Sequence, residues 1–334
     1  MNDTANADGA SGAGNLGNSG AGNADGASGA GDDWMAASFD EHRGHLRSVA
    51  YRMLGSLAEA DDAVQETWLR LARADAGGVH NLRAWLTTVV SRVCLDLLRS
   101  RAARREDSLD VHVPDPIVTP AGDDPQEHAL LADSVGIALL VVLDTLPPAE
   151  RLAFVLHDIF AVPFDDIGRV LDRSPAAAKQ LGSRARQRLR AAGPQPGEPG
   201  EPGEGVPPGR TDRARQRDVV TAFQAASRDG DFDALLALLD PDVVLRADAG
   251  ASSMGPSQVV RGAASVLAQT RRFAPLGRFA RLVLVNGEPG FLVAPAGEPL
   301  ALLAVTVQGG RITEIDILAD PDRLARLDLA AVLP

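Results

Sequence analysis

The stretch 163–190 carries side chains able to read DNA. Phe164, Ile167, Val170 and Leu171 fall at helical spacing and predict a short helix. Asp172-Arg173-Ser174 follows as a turn. Ser174 is a good N-cap, because its hydroxyl accepts an orphan backbone N–H, and Pro175 then occupies the first helical position at no cost. The second helix buries Ala178, Leu181, Ala185 and Leu189 and turns Lys179, Gln180, Ser183, Arg184 and Arg188 outward. Small residues such as Ala177 open it and cations follow, as a helix needs if its N-terminal half enters a major groove while arginines meet phosphates. An ordinary helical hairpin with a solvated basic face has the same pattern, so the rest of the chain has to decide.

Other chemistry-bearing sets flank this stretch. On a predicted helix over 56–73, Leu57, Ala60, Val64, Trp68 and Leu71 make an apolar stripe, and Glu59, Asp62 and Glu66 line another face with Asp61 and Gln65 beside them. Like charges at that spacing cost a few tenths of a kcal/mol each. Such a face is either simply solvated or a docking surface for a basic partner. The helix over 82–105 becomes basic at Arg92, Arg99, Arg101, Arg104 and Arg105, which suits its own dipole and equally a phosphate backbone. His42 and His45 lie three apart with no third ligand nearby, so exposed helix residues fit better than a metal site. No metal and no cofactor is expected, and the chain's one cysteine, Cys94, reads as a small buried hydrophobe.

A length of 334 residues allows two or three domains. The net charge of -12 is awkward for a protein that binds DNA unaided, since phosphate contacts supply most nucleic-acid affinity. No stretch is apolar enough for a membrane span and no signal pattern opens the chain, so a cytoplasmic protein is expected. Residues 1–37 are a low-complexity Gly/Ala/Asn/Asp tail, expected to be disordered. Two helical domains, 38–106 and 126–192, are joined by a proline-broken linker at 107–125. A Pro/Gly linker at 193–211 leads to a last domain, 212–334.

In that last domain the pattern gives helices over 212–228 and 231–239, a short strand over 243–247 and a helix over 259–270. Strand-like runs follow over 278–286, 290–294, 300–308 and 311–317, the last two joined by a Gly309-Gly310 hairpin turn. Helices first and then a curved antiparallel sheet make an α+β cone. Asp240, Asp242, Asp248, Glu288, Glu314 and Asp316 could supply a catalytic base. The domain has no His, Tyr, Trp or Cys, so an isomerase-type site with a tyrosine in its oxyanion hole is not available, and Asp240-Pro241-Asp242 reads as a turn. The chain is not expected to be an enzyme.

The order of the parts is more telling than any one of them. The acidic run Asp61-Asp62-Ala63-Val64-Gln65-Glu66 precedes Arg83-Ala84-Trp85-Leu86 and a basic helix; a proline linker leads to Leu146-Pro147-Pro148-Ala149-Glu150-Arg151 and the helix-turn-helix. This resembles the extracytoplasmic-function group of bacterial sigma-70-type sigma factors, over roughly 38–190. The resemblance implies a multidomain protein in which two all-α sigma domains, the second with the helix-turn-helix, precede an NTF2-like cone. It implies core RNA polymerase and promoter DNA as partners. Asp61, Asp62, Gln65 and Glu66 then match the contact to the beta-prime clamp, His80, Asn81, Arg92 and Arg99 the part that reads and opens the -10 element, and Ser174 through Arg188 the -35 reader. Ser174-Pro175-Ala176-Ala177-Ala178-Lys179-Gln180-Leu181 looks like the subgroup with a fused SnoaL/NTF2-like domain. Pro114, Asp115 and Pro116 resemble that subgroup's linker motif, with Asp115 for a glutamate, and Asp320, Pro321, Asp322 and Arg323 resemble its C-terminal motif, with Asp320 for an asparagine and Arg323 for a lysine. The resemblance implies that these residues regulate the factor in cis, with an inhibitory role like that of a built-in anti-sigma domain and a positive one as well. The alternative is a helix-turn-helix regulator that acts without polymerase and senses a ligand through its cone.

Overall fold

The structure is a computed structural model that describes residues 25–74, 81–104, 111–121, 136–192, 210–252 and 255–333. It divides into two units, residues 1–41 and residues 42–334. Three helices form the first sigma-like domain: α1 (Asp25–Leu54), α2 (Leu57–Arg73) and α3 (Leu82–Arg104). Helix α1 starts at Asp25, inside the segment expected to be a disordered tail. A helix already nucleated over 38–54 extends at one hydrogen bond per residue without a new nucleus, which offsets the poor propensity of its glycines. Residues 1–24 lie outside the described residues.

Ser56 caps α2, accepting the Glu59 N–H, after Gly55 reverses the chain at φ +70°. Asn81 caps α3, its side-chain oxygen accepting the Ala84 N–H at 3.0 Å. The second helical domain contains α4 (Ile137–Asp144) and α5 (Pro148–Phe154), followed by a π-helical turn, Val155–Ile159. The turn ends at Phe160 and Ala161, whose φ of 54° stops the helix. The helix-turn-helix is α6 (Phe164–Leu171) and α7 (Pro175–Ala192). Asp172 takes the left-handed conformation between them, and Gly168 lets the turn close, since a Cβ there would lie 2.7 Å from the Arg173 carbonyl oxygen. Ser174 accepts the Ala177 N–H at 3.2 Å, the cap that its sequence position predicts.

The last domain comprises α8 (Arg210–Asp229), α9 (Phe232–Leu238), β2 (Leu239–Asp248), β3 (Gln258–Arg261), α10 (Ala263–Phe273), β4 (Ala280–Val285), β5 (Glu288–Val293), β6 (Ala301–Gln308), β7 (Arg311–Leu318) and the short α11 (Pro321–Leu324). Its sheet runs β1-β4-β5-β6-β7-β2-β3, with β1 (Val118–Pro120) coming from the linker between the two helical domains. Three expectations are corrected here. The helix read over 259–270 is a strand followed by a helix: Gly262, at φ +85°, breaks what looked like one helical period. The Asp240-Pro241-Asp242 turn is a kink inside β2, where Asp240 accepts the Asp242 N–H and the pairing register with β7 shifts. The sheet is mixed, because β2 and β7 pair in parallel. Gly309 and Gly310 do form the tight hairpin, both at positive φ.

Both faces of this sheet are buried. Leu245, Phe291 and Ile315 face the cone interior with Phe223 and Val220 of α8. On the opposite face Leu292, Leu302 and Leu318 are also fully buried, and α4 lies against β7. Continuous apolar runs such as Ala301-Leu302-Leu303 are what a strand covered on both sides requires.

Candidate functional site

The acidic face of α2 is on the surface. Asp61, Asp62 and Gln65 are exposed and Glu66 is half-buried. Arg47 donates through Nε to Asp61 at 2.6 Å and Arg70 to Glu66 at 2.9 Å. These are exposed pairs that water screens, so another basic group can replace either arginine at little cost.

The residues expected to contact DNA fall on two helices. His80 lies outside the described residues. Asn81 is exposed at the head of α3, and Arg99 is exposed beside Asp96 at 3.7 Å. Arg92 points at the helix-turn-helix instead, donating to the Arg169 carbonyl at 2.6 Å and standing 3.8 Å from Asp172. On α7, Ser174, Lys179, Gln180, Ser183, Arg184 and Arg188 are exposed and Ala177 is half-buried, so they share one face. Arg184 and Arg188 both reach the buried Glu150 of α5, at 3.1 and 3.2 Å. Glu150 thereby fixes two guanidinium groups on the exposed face.

The two helical domains touch each other directly. Arg151, 1 % exposed, donates to the Arg52 carbonyl of α1 and to Asp144 at 2.9 Å. Arg52 stacks over Phe160 at 5.1 Å, and His45 meets the same ring edge-on at 5.3 Å. His45 also lies 3.2 Å from the Thr87 hydroxyl, and burial together with the nearby Arg83 lowers its pKa to about 4. A cleft of about 1010 Å³ lies between the domains, with Asn81, Arg83, Trp85 and Arg92 on one side and Phe160 and Arg169 on the other.

The densest polar cluster joins the linker to the last domain. Arg323 of α11 donates to Asp115 at 3.0 Å, to Asp248 at 2.6 Å and to the Val113 carbonyl at 2.5 Å. Asp248 also accepts the Val113 N–H at 3.0 Å and lies 3.6 Å from His112. Asp115 accepts the Leu57 N–H with its carboxylate and the Tyr51 hydroxyl with its carbonyl, at 3.2 and 2.6 Å. Asn286, in the β4–β5 turn, donates to the Tyr51 oxygen at 3.0 Å and brackets Ile117 with two 2.8 Å bonds. Asp320 caps α11 by accepting the Asp322 and Arg323 N–H groups. Gly250 leaves room for it: a Cβ there would lie 2.1 Å from an Asp320 oxygen. Pro114 packs 3.5 Å from where a Gly55 Cβ would be.

Of the residues singled out for interdomain contact, Asp115 and Arg323 meet directly, Asp320 and Asp322 shape the short helix that presents Arg323, and Pro114 and Pro116 bracket Asp115. Sequence reasoning missed Tyr51, Asn286 and the role of Asp248.

The cone encloses a cavity of about 140 Å³. Of the carboxylates considered as bases, Glu314 and Asp316 lie on the other face of the sheet, bonded to Arg246 at 2.7 and 3.0 Å. Burial and the adjacent Glu314 carboxylate push Asp316 up to about 6, with Arg246 opposing. Among the described residues no titratable side chain lines the cavity.

Comparison with known proteins agrees with this geometry. Sigma-70 region 2 matches residues 39–104, and Sigma-70, region 4 matches residues 137–189. Those two modules, in that order, define a sigma-70-type factor. The ECF RNA polymerase sigma factor SigJ of Mycobacterium tuberculosis is 40% identical over 301 residues, covering 86% of this chain and 92% of its own length. The probable ECF sigma factor SigI of the same species is 33% identical over 302 residues, covering 87% of this chain and 95% of its own. The crystal structure of SigJ superposes with a TM-score of 0.68 at 36% identity, covering 88% of this chain and 99% of that one. The chain belongs to the ECF sigma factors. Among the described residues, no helix is long and apolar enough to cross a membrane.

Proposed function

We infer that this ECF sigma factor directs promoter-specific transcription initiation by core RNA polymerase and that its C-terminal domain holds it in a closed, non-productive arrangement. The observation that carries the regulatory reading is the Arg323 latch, which ties α11 to the linker at Asp115 and, through Tyr51 and Leu57, to the first sigma domain. The -10 and -35 elements are centred about 25 base pairs apart, roughly 85 Å at 3.4 Å per pair. Helices α3 and α6 are in contact, and Arg92 is bonded to the helix-turn-helix. A factor folded this way cannot reach both elements at once, so the two domains have to part on polymerase.

In that open state Asp61, Asp62, Gln65 and Glu66 dock on a basic surface of the clamp, His80, Asn81, Arg92 and Arg99 serve the -10 element, and the face from Ser174 to Arg188 reads -35. The acidic net charge fits, since the polymerase supplies much of the DNA affinity. The stand-alone regulator reading is not favoured by full-length likeness to sigma factors. The cone does no chemistry in this reading, because its candidate bases face away from the cavity.

The test is run-off transcription with purified core polymerase, comparing the full chain with Arg323→Ala. Release of the latch raises transcript yield severalfold; equal yields overturn the regulatory reading, and silence from both chains overturns the sigma reading. Core binding is tested separately with Asp62→Arg combined with Glu66→Arg, which lowers affinity by about tenfold or more. Unchanged affinity removes the docking face.

A further inference from the structure

We propose that the cone is a binding site for a small, neutral, apolar molecule about one to two rings in size, and that occupancy favours the closed arrangement. The cavity of about 140 Å³ is walled by Phe223, Leu245, Phe291, Leu303, Ile315 and Ile317. An apolar cavity of about 150 Å³ in another protein stays dry and takes up benzene, so this volume and lining suit a ligand of that kind. The polar groups here are neutral. Gln269 donates to Gln258 at 3.3 Å, Gln224 to the Ala280 carbonyl at 2.8 Å, and Thr270 to the Val266 carbonyl at 3.0 Å. Amides can meet one hydroxyl or N–H of a ligand, whereas an ionised ligand would enter with no counter-charge and lose its hydration.

Strand alternation is what keeps charge out. Leu245 and Ala247 point into the cone while Arg246 between them points out; Ile315 and Ile317 point in while Glu314 and Asp316 point out and pair with Arg246. The same walls reach the latch. Ala249 and Ala319 line the cavity, and each is next in sequence to a latch residue, Asp248 and Asp320. The Ala319 N–H donates to the Asp248 carbonyl at 2.7 Å, so one hydrogen bond joins cavity wall and latch. A molecule that binds only the conformation possessing this cavity shifts the equilibrium toward it. The coupling, though not the site, rests on the regulatory reading given above.

Calorimetric titration of the full-length protein with indole tests the site, with benzoate as the charged comparison of similar size. Indole binds saturably at one site, and benzoate at least about tenfold more weakly. Filling the cavity with Ala247→Phe, or independently with Leu303→Phe, abolishes indole binding in a chain whose circular dichroism is unchanged. Absence of saturable indole binding, equal affinity for benzoate, or full indole binding by a folded filled variant each overturns the site; the benzoate comparison stands even if neither variant folds. For the coupling, Arg323→Ala weakens indole severalfold, and an unchanged affinity overturns it. Intact indole binding with no effect of Arg323→Ala on transcription would fail the regulatory reading while leaving the site in place.

Discussion

Two joints hold the sigma domains of this protein, and they are built from different materials. The joint between α3 and the helix-turn-helix depends on Arg92, whose side chain is 47% exposed, facing an Asp172 that is 91% exposed. The joint through the C-terminal domain depends on Arg323, with its side chain 15% exposed, between Asp115 at 18% and Asp248 at 9%. Exposed ion pairs contribute about 0–1 kcal/mol. A half-buried arginine serving two carboxylates and a carbonyl is different, since removing it takes the cation from two largely covered acids. The direct contact also has a buried part, the Arg151 bond to the Arg52 carbonyl, so the contrast is between the exposed Arg92 and the largely covered Arg323.

That contrast can be broken from either side. Arg323→Ala has the largest expected effect, about 3 kcal/mol off the stability of the latched arrangement, read as faster proteolysis within residues 111–121 and a lower melting temperature. Tyr51→Phe comes next. It removes the hydroxyl that donates to the Asp115 carbonyl and accepts from Asn286, costing about 1–2 kcal/mol in chemical denaturation. Arg92→Ala costs under about 1 kcal/mol, and what it costs shrinks as salt is added. An Arg92 effect equal to that of Arg323 would reverse the ranking of the joints.

The smallest effect is a pH signature in which each joint has its own sign. His45, at the direct joint, has its pKa lowered from 6.5 to about 4, so the unfolded chain binds more protons between those values and stability falls as pH falls through that window. Asp316, on the sheet face that α4 overlies, is raised from 3.8 to about 6, so the folded chain binds the extra proton and stability falls as pH rises through that window. His45→Gln therefore leaves a stability that declines from pH 4 to 6, and Asp316→Asn one that climbs, in thermal melts across the range.

The sequence was informative wherever the determinant is local. The Ser174 cap, the helix-turn-helix stripe and the Gly309-Gly310 turn each depend on residues within a turn of one another, and each formed as the pattern predicts. Local pattern also misled. Val259, Val260, Ala263, Val266 and Leu267 read as one helical face until Gly262 at positive φ split them into β3 and α10. The candidate site was half legible: Asp115 and Arg323 stood out through motif resemblance, whereas Tyr51 and Asn286 are 235 positions apart and nothing in either neighbourhood names the other. The strand β1 was hidden by Pro120, which is compatible with an edge position where one N–H faces away from the ladder.

The recruitment of β1 also sets the conditions under which the protein can open. When the linker lifts away, the sheet loses the strand paired to Val283, Leu284 and Val285, and the β4 backbone is left with a row of unmet donors and acceptors. An uncovered edge of this kind templates pairing with any other extended chain, including a second copy of itself. Free opening in solution therefore carries a colloidal hazard. On the regulatory reading proposed above, the factor is safest when it opens only in the act of being received by polymerase, and the closed form then serves solubility as much as transcriptional silence.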